Sequence, residues 1–173
     1  LKNNINKFDV ICIQEHWLYP SSLCEFDHIS NDYNYEAISF MEDVMMTGVG
    51  RPYGGLAMLW KKSLDINVKY LGNSLNNRVK CKDVNICLCN VYLPCYENNV
   101  EYSNELLECL AYIELMFTEL RNVNKNLELC IIGDFNIDCE RIVNNVHAVV
   151  IDRFMVDYGM KIITEQNEVA GEY

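Results

Sequence analysis

The segment at residues 129–136, LCIIGDFN, constrains the fold of this chain more than any other. An apolar run that stops at a glycine predicts a buried β-strand. Gly133 is expected to let the backbone leave the sheet in an unusual conformation. Asp134 and Asn136 would then lie on a loop at the carboxyl end of a core strand, held by a rigid scaffold. A carboxylate beside an amide at such a position suits chemistry on a phosphate and a water molecule.

Two further apolar runs also end in polar residues. Residues 8–15, FDVICIQE, end in Gln14 and Glu15. Residues 84–94, VNICLCNVYLP, end in Tyr92 and a strand-terminating proline. Burial alone does not explain why three core strands each present polar groups at one end. Because sheets commonly bind ligands outside the carboxyl ends of their strands, the three segments together predict a functional site.

The ordered set IQE, NVYLP and IIGDFN resembles the endonuclease/exonuclease/phosphatase superfamily. Within it, the segments ICIQEHWL, GGLAMLW, NVYLP and IIGDFN are most similar to the apurinic-endonuclease-like endonuclease domain of LINE-type (non-LTR) retrotransposons. The resemblance extends from Phe8 to about Gly159. It implies hydrolysis of a phosphodiester with Mg²⁺ as cofactor, or Mn²⁺ in its place.

The resemblance also implies a role for each residue at the strand ends. Glu15 would bind Mg²⁺, a hard cation that prefers oxygen ligands. Tyr92 would face the scissile phosphate and donate a hydrogen bond as charge builds. Asp134 would orient and deprotonate the attacking water, and Asn136 would bond to the phosphate or that water. Each residue also has a plainer interpretation. Glu15 would then be a solvated carboxylate, Tyr92 an aromatic side chain of the sheet, and Asp134 and Asn136 the members of an Asx turn.

Other polar and aromatic residues carry weaker predictions. Arg51, in a glycine-rich loop, and Arg78 are the basic residues expected to contact a DNA backbone. His16 has no serine or cysteine nucleophile in a recognisable pattern with it, so a groove-wall or partly packed histidine is the better interpretation. Trp17 and Trp60 are both predicted to belong to the core.

The pattern of apolar residues predicts an α+β fold. Two sheets of mainly antiparallel strands are expected to pack face to face with helices outside, matching the four-layered α/β/β/α sandwich of the family. Predicted strands between the first run and the NVYLP run cover residues 35–40, 56–60, 66–71 and 78–81. Predicted helices cover residues 23–29, 103–121 with an amphipathic stripe, and 142–158 with Gly159 as its stop.

Composition limits the class of protein. The 173 residues suit one domain, residues 1–173, and half of them are hydrophobic. Nine cysteines without a CxxC pair indicate thiols used as core filler in a reducing compartment. No apolar run reaches the roughly 18 residues that a membrane span needs, and no signal peptide is visible. We therefore expect an intracellular protein, nuclear or cytoplasmic, not secreted and without a membrane partner.

The net charge of −11 argues against a generic basic nucleic-acid binder, since neutralising phosphates needs Lys and Arg. Metal-binding carboxylates would lower this charge on binding a cation, and neighbouring domains of a polyprotein can supply affinity. The family also carries an asparagine upstream and a terminal Ser-Asp-His that this sequence does not contain. The chain is therefore expected to be an incomplete domain without its C-terminal strands, and weakly active or inactive by itself.

Three functions remain open from the sequence. The first is a Mg²⁺-dependent, DNA-nicking endonuclease domain, with DNA and the reverse-transcriptase domain of a parent polyprotein as partners. The second is a phosphatase or phospholipase of the same superfamily that acts on a small or lipid phosphoester. The third is a non-catalytic remnant, since the terminal catalytic motifs are absent.

Overall fold

The computed structural model describes residues 5–41, 54–64, 66–71, 74–81, 84–93, 100–136 and 146–163. The chain is a mixed α+β protein that divides into two compact units, Leu1–Ile137 and Asp138–Tyr173. The prediction of a single domain over residues 1–173 stays a prediction. Two predicted features lie outside the described residues. They are Arg51, with its loop up to residue 53, and the first four residues, 142–145, of the helix predicted over residues 142–158.

The first unit contains the described strands and one long helix. Its strands are β1 Val10–Gln14, β2 Tyr33–Ile38, β3 Leu56–Lys61, β4 Ile66–Leu71, β5 Ser74–Cys81, β6 Val84–Tyr92 and β7 Leu127–Asp134. Its helices are α1, Val100–Val123, and the 3-10 helices Ile5–Lys7 and Pro20–His28. The second 3-10 helix replaces the predicted helix at 23–29 and begins at Pro20, whose fixed φ suits a first helical position.

The strands form two sheets. Sheet A has the order β1-β3-β2 and is antiparallel throughout. Sheet B has the order β4-β5-β6-β7, and only its β6–β7 pair is parallel. A parallel pair needs a long crossover connection, and α1 provides it. The predicted α+β class with mainly antiparallel sheets is confirmed.

The core lies between the two sheets. Leu56, Met58 and Trp60 of β3 cluster with Leu88 of β6, and Cys130 of β7 packs against them. The prediction of Trp60 as a core residue is confirmed. The alternate residues of β3 point to the other face of sheet A. There they form a second cluster with side chains that include Phe26 of the 3-10 helix, so β3 is buried on both sides.

Helix α1 buries the stripe that its sequence predicts. Leu106, Leu110, Ile113 and Phe117 are all buried. The neighbouring Met116 reaches sheet B, where its sulfur lies 3.4 Å from the Sγ atom of Cys87. The helix extends three residues beyond the predicted start and two beyond the predicted end, as Val100–Val123.

The described cysteines are free thiols. Cys87 and Cys89 are fully buried, and burial raises the pKa of Cys12 to about 12 and that of Cys109 to about 11. Such thiols stay protonated at neutral pH and act as small apolar side chains. The predicted use of cysteine as core filler is confirmed for these four residues.

The second unit contains α2, Val146–Asp157. Gly159 has φ = +62°, its N–H donates to the Val156 carbonyl, and Met160 N–H donates to the Met155 carbonyl. This pair of bonds is a Schellman motif, so the predicted helix stop at Gly159 is confirmed. In the described part of the chain, neither α1 nor α2 combines the length and apolarity of a membrane-spanning helix.

Candidate active site

The end of β1 presents Glu15 in an unusual backbone conformation. Glu15 directly follows Gln14, the last residue of β1, and has φ = +53°. Its side chain is exposed. A non-glycine residue with positive φ is uncommon, and such residues cluster at functional sites. The carboxylate predicted to bind metal is therefore held at the surface by a specific turn of the chain.

His16 holds this turn through both nitrogens of its ring. The Leu18 backbone N–H donates to Nδ1 at 3.0 Å, which leaves Nε2 to carry the proton and donate to the Ile38 carbonyl at 2.8 Å. Burial lowers the pKa of His16, although hydrogen bonds to backbone carbonyls oppose that shift. A Cβ atom at residue 55 would overlap the ring, so Gly55 leaves the space that His16 fills. The prediction of a partly packed histidine is confirmed.

Tyr92 and Glu15 are in direct contact. The Tyr92 hydroxyl donates to Oε1 of Glu15 at 2.8 Å, although 77 residues separate them. Tyr92 is the last residue of β6, and its ring lies 6.4 Å from that of Phe40. The hydroxyl carries one proton. In this structure that proton orients the carboxylate, which the sequence did not predict.

Asp134 and Asn136 form an Asx turn at the end of β7. The Asn136 backbone N–H donates to Oδ1 of Asp134 at 2.9 Å. The Asn136 side-chain Nδ2 donates to the Leu93 carbonyl at 2.7 Å, and the Leu93 N–H donates to the Asp134 carbonyl at 2.9 Å. The turn that was the plainer alternative is thus present. It also fixes both side chains in direction, which a site residue needs.

Gly133 keeps β6 and β7 close together. Gly133 has the unusual backbone conformation that the sequence predicted, with φ = +158°. The prediction that the backbone leaves the sheet at this glycine was wrong, because Gly133 pairs with Val91 and Asp134 still pairs with Tyr92. A Cβ atom at residue 133 would overlap the Val91 carbonyl oxygen. The glycine therefore serves close approach of two strands, which brings Asp134 beside Tyr92.

The two sheets are joined at the site by Asn90. This residue of β6 is fully buried, and its Nδ2 donates to the carbonyls of Ile13 at 3.2 Å and Ala57 at 3.0 Å. Its Oδ1 accepts a hydrogen bond from Nε2 of Gln14 at 2.5 Å. Sheet B is thereby fixed against the end of sheet A that carries Glu15.

The four strand-end residues to which the resemblance gives roles, Glu15, Tyr92, Asp134 and Asn136, lie together in space. Glu15 bonds to Tyr92, Tyr92 pairs with Asp134 across parallel strands, and Asn136 bonds to the residue after Tyr92. Their chemical roles stay predictions. So do the roles of the two arginines: Arg78 belongs to β5 and pairs with Cys87, while Arg51 lies outside the described residues.

Sequence reasoning missed two aromatic residues near this site. Trp17 was predicted to be core, and this was wrong, since it is 43% exposed. The residue pattern from which the burial of a strand is predicted ends with β1 at Gln14, so it gives no prediction for residue 17. Phe40 follows β2 and packs beside Tyr92. The sequence predicted it only as the last residue of the strand 35–40, which gave no sign of a place beside the site.

A separate cavity of about 400 Å³ lies away from these strand ends. It is lined by Asn6, Asp32, Tyr33, Lys61, Lys62 and Ser63. Tyr33 pairs with Lys61 at one end of β3, whereas the end at Leu56 pairs with Gln14. The cavity is therefore at the opposite end of sheet A from Glu15.

The chain belongs to the Endonuclease/Exonuclease/phosphatase family, whose model matches residues 1–167. Members of this family are Mg²⁺-dependent phosphodiesterases. A comparison with curated proteins finds no match. The family assignment confirms the superfamily that the three strand-end segments indicated.

Solved structures share the fold. AP endonuclease LMAP from Leishmania major is 14% identical, with a TM-score of 0.62 over 87% of this chain and 57% of its own. The 3′ phosphatase NExo from Neisseria, solved with a product DNA hairpin, is 14% identical, with a TM-score of 0.60 over 91% and 64%. TDP2 from Caenorhabditis elegans is 18% identical, with a TM-score of 0.51 over 82% and 41%. The chain therefore spans less than two thirds of each of these proteins.

Proposed function

We propose that this chain is a Mg²⁺-dependent phosphodiesterase that nicks DNA, as the endonuclease domain of a LINE-type retrotransposon protein. The observation that carries the proposal is the convergence of Glu15, Tyr92, Asp134 and Asn136 at one end of the two sheets. A reverse-transcriptase domain would be its partner in the parent protein. The four-layered α/β/β/α sandwich of the family belongs to the same proposal.

The donor set at the site fits the cofactor. Mg²⁺ is usually held by one or two carboxylates, with waters and substrate phosphates completing its shell. The exposed Glu15 carboxylate would be such a ligand. No group of three or more His, Cys, Asp or Glu side chains that could hold a metal ion lies among the residues described here. When bound there, Mg²⁺ would supply charge stabilisation at the phosphate oxygens.

Asp134 would act as the general base. Its Oδ1 is held by the Asn136 N–H, which fixes the plane of the carboxylate. The second oxygen would accept the proton of the attacking water. Asn136, fixed through the Leu93 carbonyl, would hold the phosphate or that water in line with the leaving group.

Tyr92 would serve the reaction in one of two ways. Its single proton either orients the Glu15 carboxylate, as in this structure, or turns to a non-bridging phosphate oxygen as charge develops. Either function needs the hydroxyl, whereas the packing of the ring beside Phe40 does not.

One observation favours a second candidate function. The net charge of −11 would repel a polynucleotide more strongly than a small or lipid phosphoester. A phosphatase or phospholipase activity at the same residues is therefore the alternative, and substrate choice separates the two.

The test is a nicking assay on supercoiled plasmid with Mg²⁺, with the 173-residue chain in excess. A lipid phosphodiester and a small phosphomonoester are assayed in parallel. The site variants are Glu15→Gln and Asp134→Asn, and the matched surface controls are Glu25→Gln and Asp27→Asn in the exposed part of the 3-10 helix. If the gene encodes a longer product, that product is assayed in the same way.

The proposal expects nicking that requires Mg²⁺, that the two site variants abolish and that the two controls retain. Hydrolysis of the lipid or the monoester without nicking would favour the alternative. No hydrolysis of any substrate by the chain or by its longer product would identify a non-catalytic remnant.

A further inference from the structure

We propose that Trp17 stacks on an unpaired nucleobase next to the scissile phosphate, so that the substrate is held through a base as well as through its backbone. The inference rests on the proposed function, because it assumes that the site at Glu15 acts on a polynucleotide. A nucleobase is the chemical class of ligand that an exposed indole ring beside a phosphate site would accept.

Trp17 is exposed, while the other tryptophan of the chain is buried. Its relative exposure is 43%, against 7% for Trp60. Two residues beyond Glu15, it has φ = +56°, a conformation that is rare for a bulky residue. Its backbone N–H donates to the Gly54 carbonyl at 3.0 Å. The fold thus holds a large apolar ring at the surface in a strained backbone, and such strain is found where a side chain serves function.

A continuous set of contacts joins Trp17 to the candidate active site. Gly54, its backbone partner, lies against Phe40, since a Cβ atom at Gly54 would be 2.7 Å from Cδ2 of that ring. Phe40 packs beside Tyr92, and Tyr92 bonds to Glu15. The backbone of Trp17 is therefore connected through the rings of Phe40 and Tyr92 to the Glu15 carboxylate.

The backbone on the other side of Trp17 is fixed as well. His16 lies between Glu15 and Trp17, and its ring bonds to Leu18 and Ile38. The same ring meets Phe26 edge-on, with the centroids 5.4 Å apart. Because the segment is already ordered, stacking on Trp17 would lose little conformational freedom on binding.

Stacking would also explain how a chain with a large negative charge binds a polyanion. With a net charge of −11, attraction to phosphates contributes little to affinity. Stacking on an aromatic ring does not depend on charge and strengthens binding by about 5- to 150-fold per base. Both faces of a base are covered in a duplex, so the ligand of Trp17 is a single-stranded or frayed nucleotide.

The first experiment measures tryptophan fluorescence in EDTA, where no cleavage occurs. The probes are a ten-nucleotide oligothymidylate and an oligomer of the same length with abasic sites only. We expect the thymidylate to quench the wild-type fluorescence and the abasic oligomer to leave it unchanged. Trp17→Phe should lose the quench, since Trp60 is buried. Trp60→Phe should retain the quench if it folds. If it does not fold, the difference in fluorescence between wild type and Trp17→Phe gives the signal of Trp17.

The second experiment measures affinity for the same two probes by fluorescence anisotropy. Trp17→Leu should weaken binding of the thymidylate by about 5- to 150-fold and leave binding of the abasic oligomer unchanged. Trp17→Phe keeps a ring and should bind the thymidylate nearly as tightly as wild type. Tyr112→Leu, which alters another exposed aromatic on α1, is the matched control and should bind like wild type.

The outcomes separate this inference from the proposed function. Either of two results would overturn the stacking role even if the chain nicks DNA. In the first, Trp17→Leu weakens the binding of both probes equally. In the second, the wild-type chain binds neither probe. A base-dependent quench by a chain that does not hydrolyse phosphodiesters with Mg²⁺ would retain the stacking role and reject the proposed activity.

Discussion

At the scale of single residues, the strained non-glycine residues of the described ranges lie at or next to the candidate site. The non-glycine residues with positive φ in the described part of the chain are Glu15, Trp17 and Asn136. Each such residue costs on the order of 1–3 kcal/mol, which the surrounding structure must offset. Hydrogen bonds at or beside these residues join Leu18 to His16, Trp17 to Gly54 and Asn136 to Leu93. The strained residues therefore give a reason, independent of family, to regard this end of the molecule as functional.

Tyr92→Phe tests the hydroxyl that bonds to Glu15. The substitution leaves the ring beside Phe40 and removes only the donor. We expect a fall in kcat of about 10²–10³, the usual cost of losing a donor to developing charge. The Mg²⁺ concentration for half-maximal activity should also rise, because the Glu15 carboxylate loses its orienting bond. Tyr112→Phe, on the exposed face of α1, is the control; wild-type kinetics for Tyr92→Phe would remove Tyr92 from the site.

His16 predicts a pH dependence of stability. Burial lowers its pKa in the folded chain below the ordinary value of about 6.5. Between these two pKa values the unfolded chain binds more protons, so stability falls as pH decreases below about 6.5 and levels off below the folded pKa. Urea unfolding at pH 7.5 and 5.5 should show a smaller loss of stability on acidification in His16→Gln than in wild type. His28→Gln, on the surface, should behave as wild type; identical losses in wild type and His16→Gln would contradict the prediction.

At the scale of secondary-structure elements, most of the fold could be predicted because burial leaves a periodic trace in the sequence. The stripe of α1 is an example, and its predicted position was close to the observed one. The strand before Asp134 was also predicted in position, but the prediction that it is fully buried was wrong, since Leu129, Cys130 and Ile131 are half-buried and Ile132 is 42% exposed. Periodicity ends where a strand ends, so the exposure of Trp17 and the bond between Tyr92 and Glu15 could not be read in this way. Contacts between residues distant in sequence depend on how the sheets pack, which one sequence does not specify.

Asn90 tests the link between the two sheets. Asn90→Ala removes three hydrogen bonds to sheet A and leaves a void at a fully buried position. At about 1 kcal/mol per net hydrogen bond, with a further term for the cavity, we expect the free energy of unfolding to fall by roughly 2–4 kcal/mol. Urea unfolding followed by circular dichroism measures it. Asn34→Ala, at an exposed position of β2, should change stability by less than about 0.5 kcal/mol. A similar small change in Asn90→Ala would show that the sheets do not depend on this residue.

At the scale of the whole molecule, charge and site chemistry point in different directions. The strand-end residues suit a phosphodiester, whereas 25 acidic residues against 14 basic ones oppose a polyanion. The negative charge and the site chemistry are compatible if the chain contacts few phosphates. The rest of its affinity for DNA would then come from Mg²⁺, from stacking on Trp17 or from a partner domain. The sequence alone reveals the charge, but the balance among these contributions is a property of the complex with DNA.

This balance predicts an unusually weak dependence of DNA binding on salt. Each phosphate that a protein neutralises on duplex DNA contributes about −0.9 to the slope of log Kobs against log salt concentration. If Arg51 and Arg78 are the cations that contact DNA, the slope should be no steeper than about −2. Anisotropy titrations of a labelled duplex between about 50 and 200 mM KCl, at constant free Mg²⁺, measure it. Arg78→Gln should make the slope shallower by about 1, while Arg153→Gln, an exposed change on α2, should leave it unchanged. A slope of −6 or steeper would mean that the chain has a basic surface the sequence does not reveal, and that phosphate contacts carry the affinity.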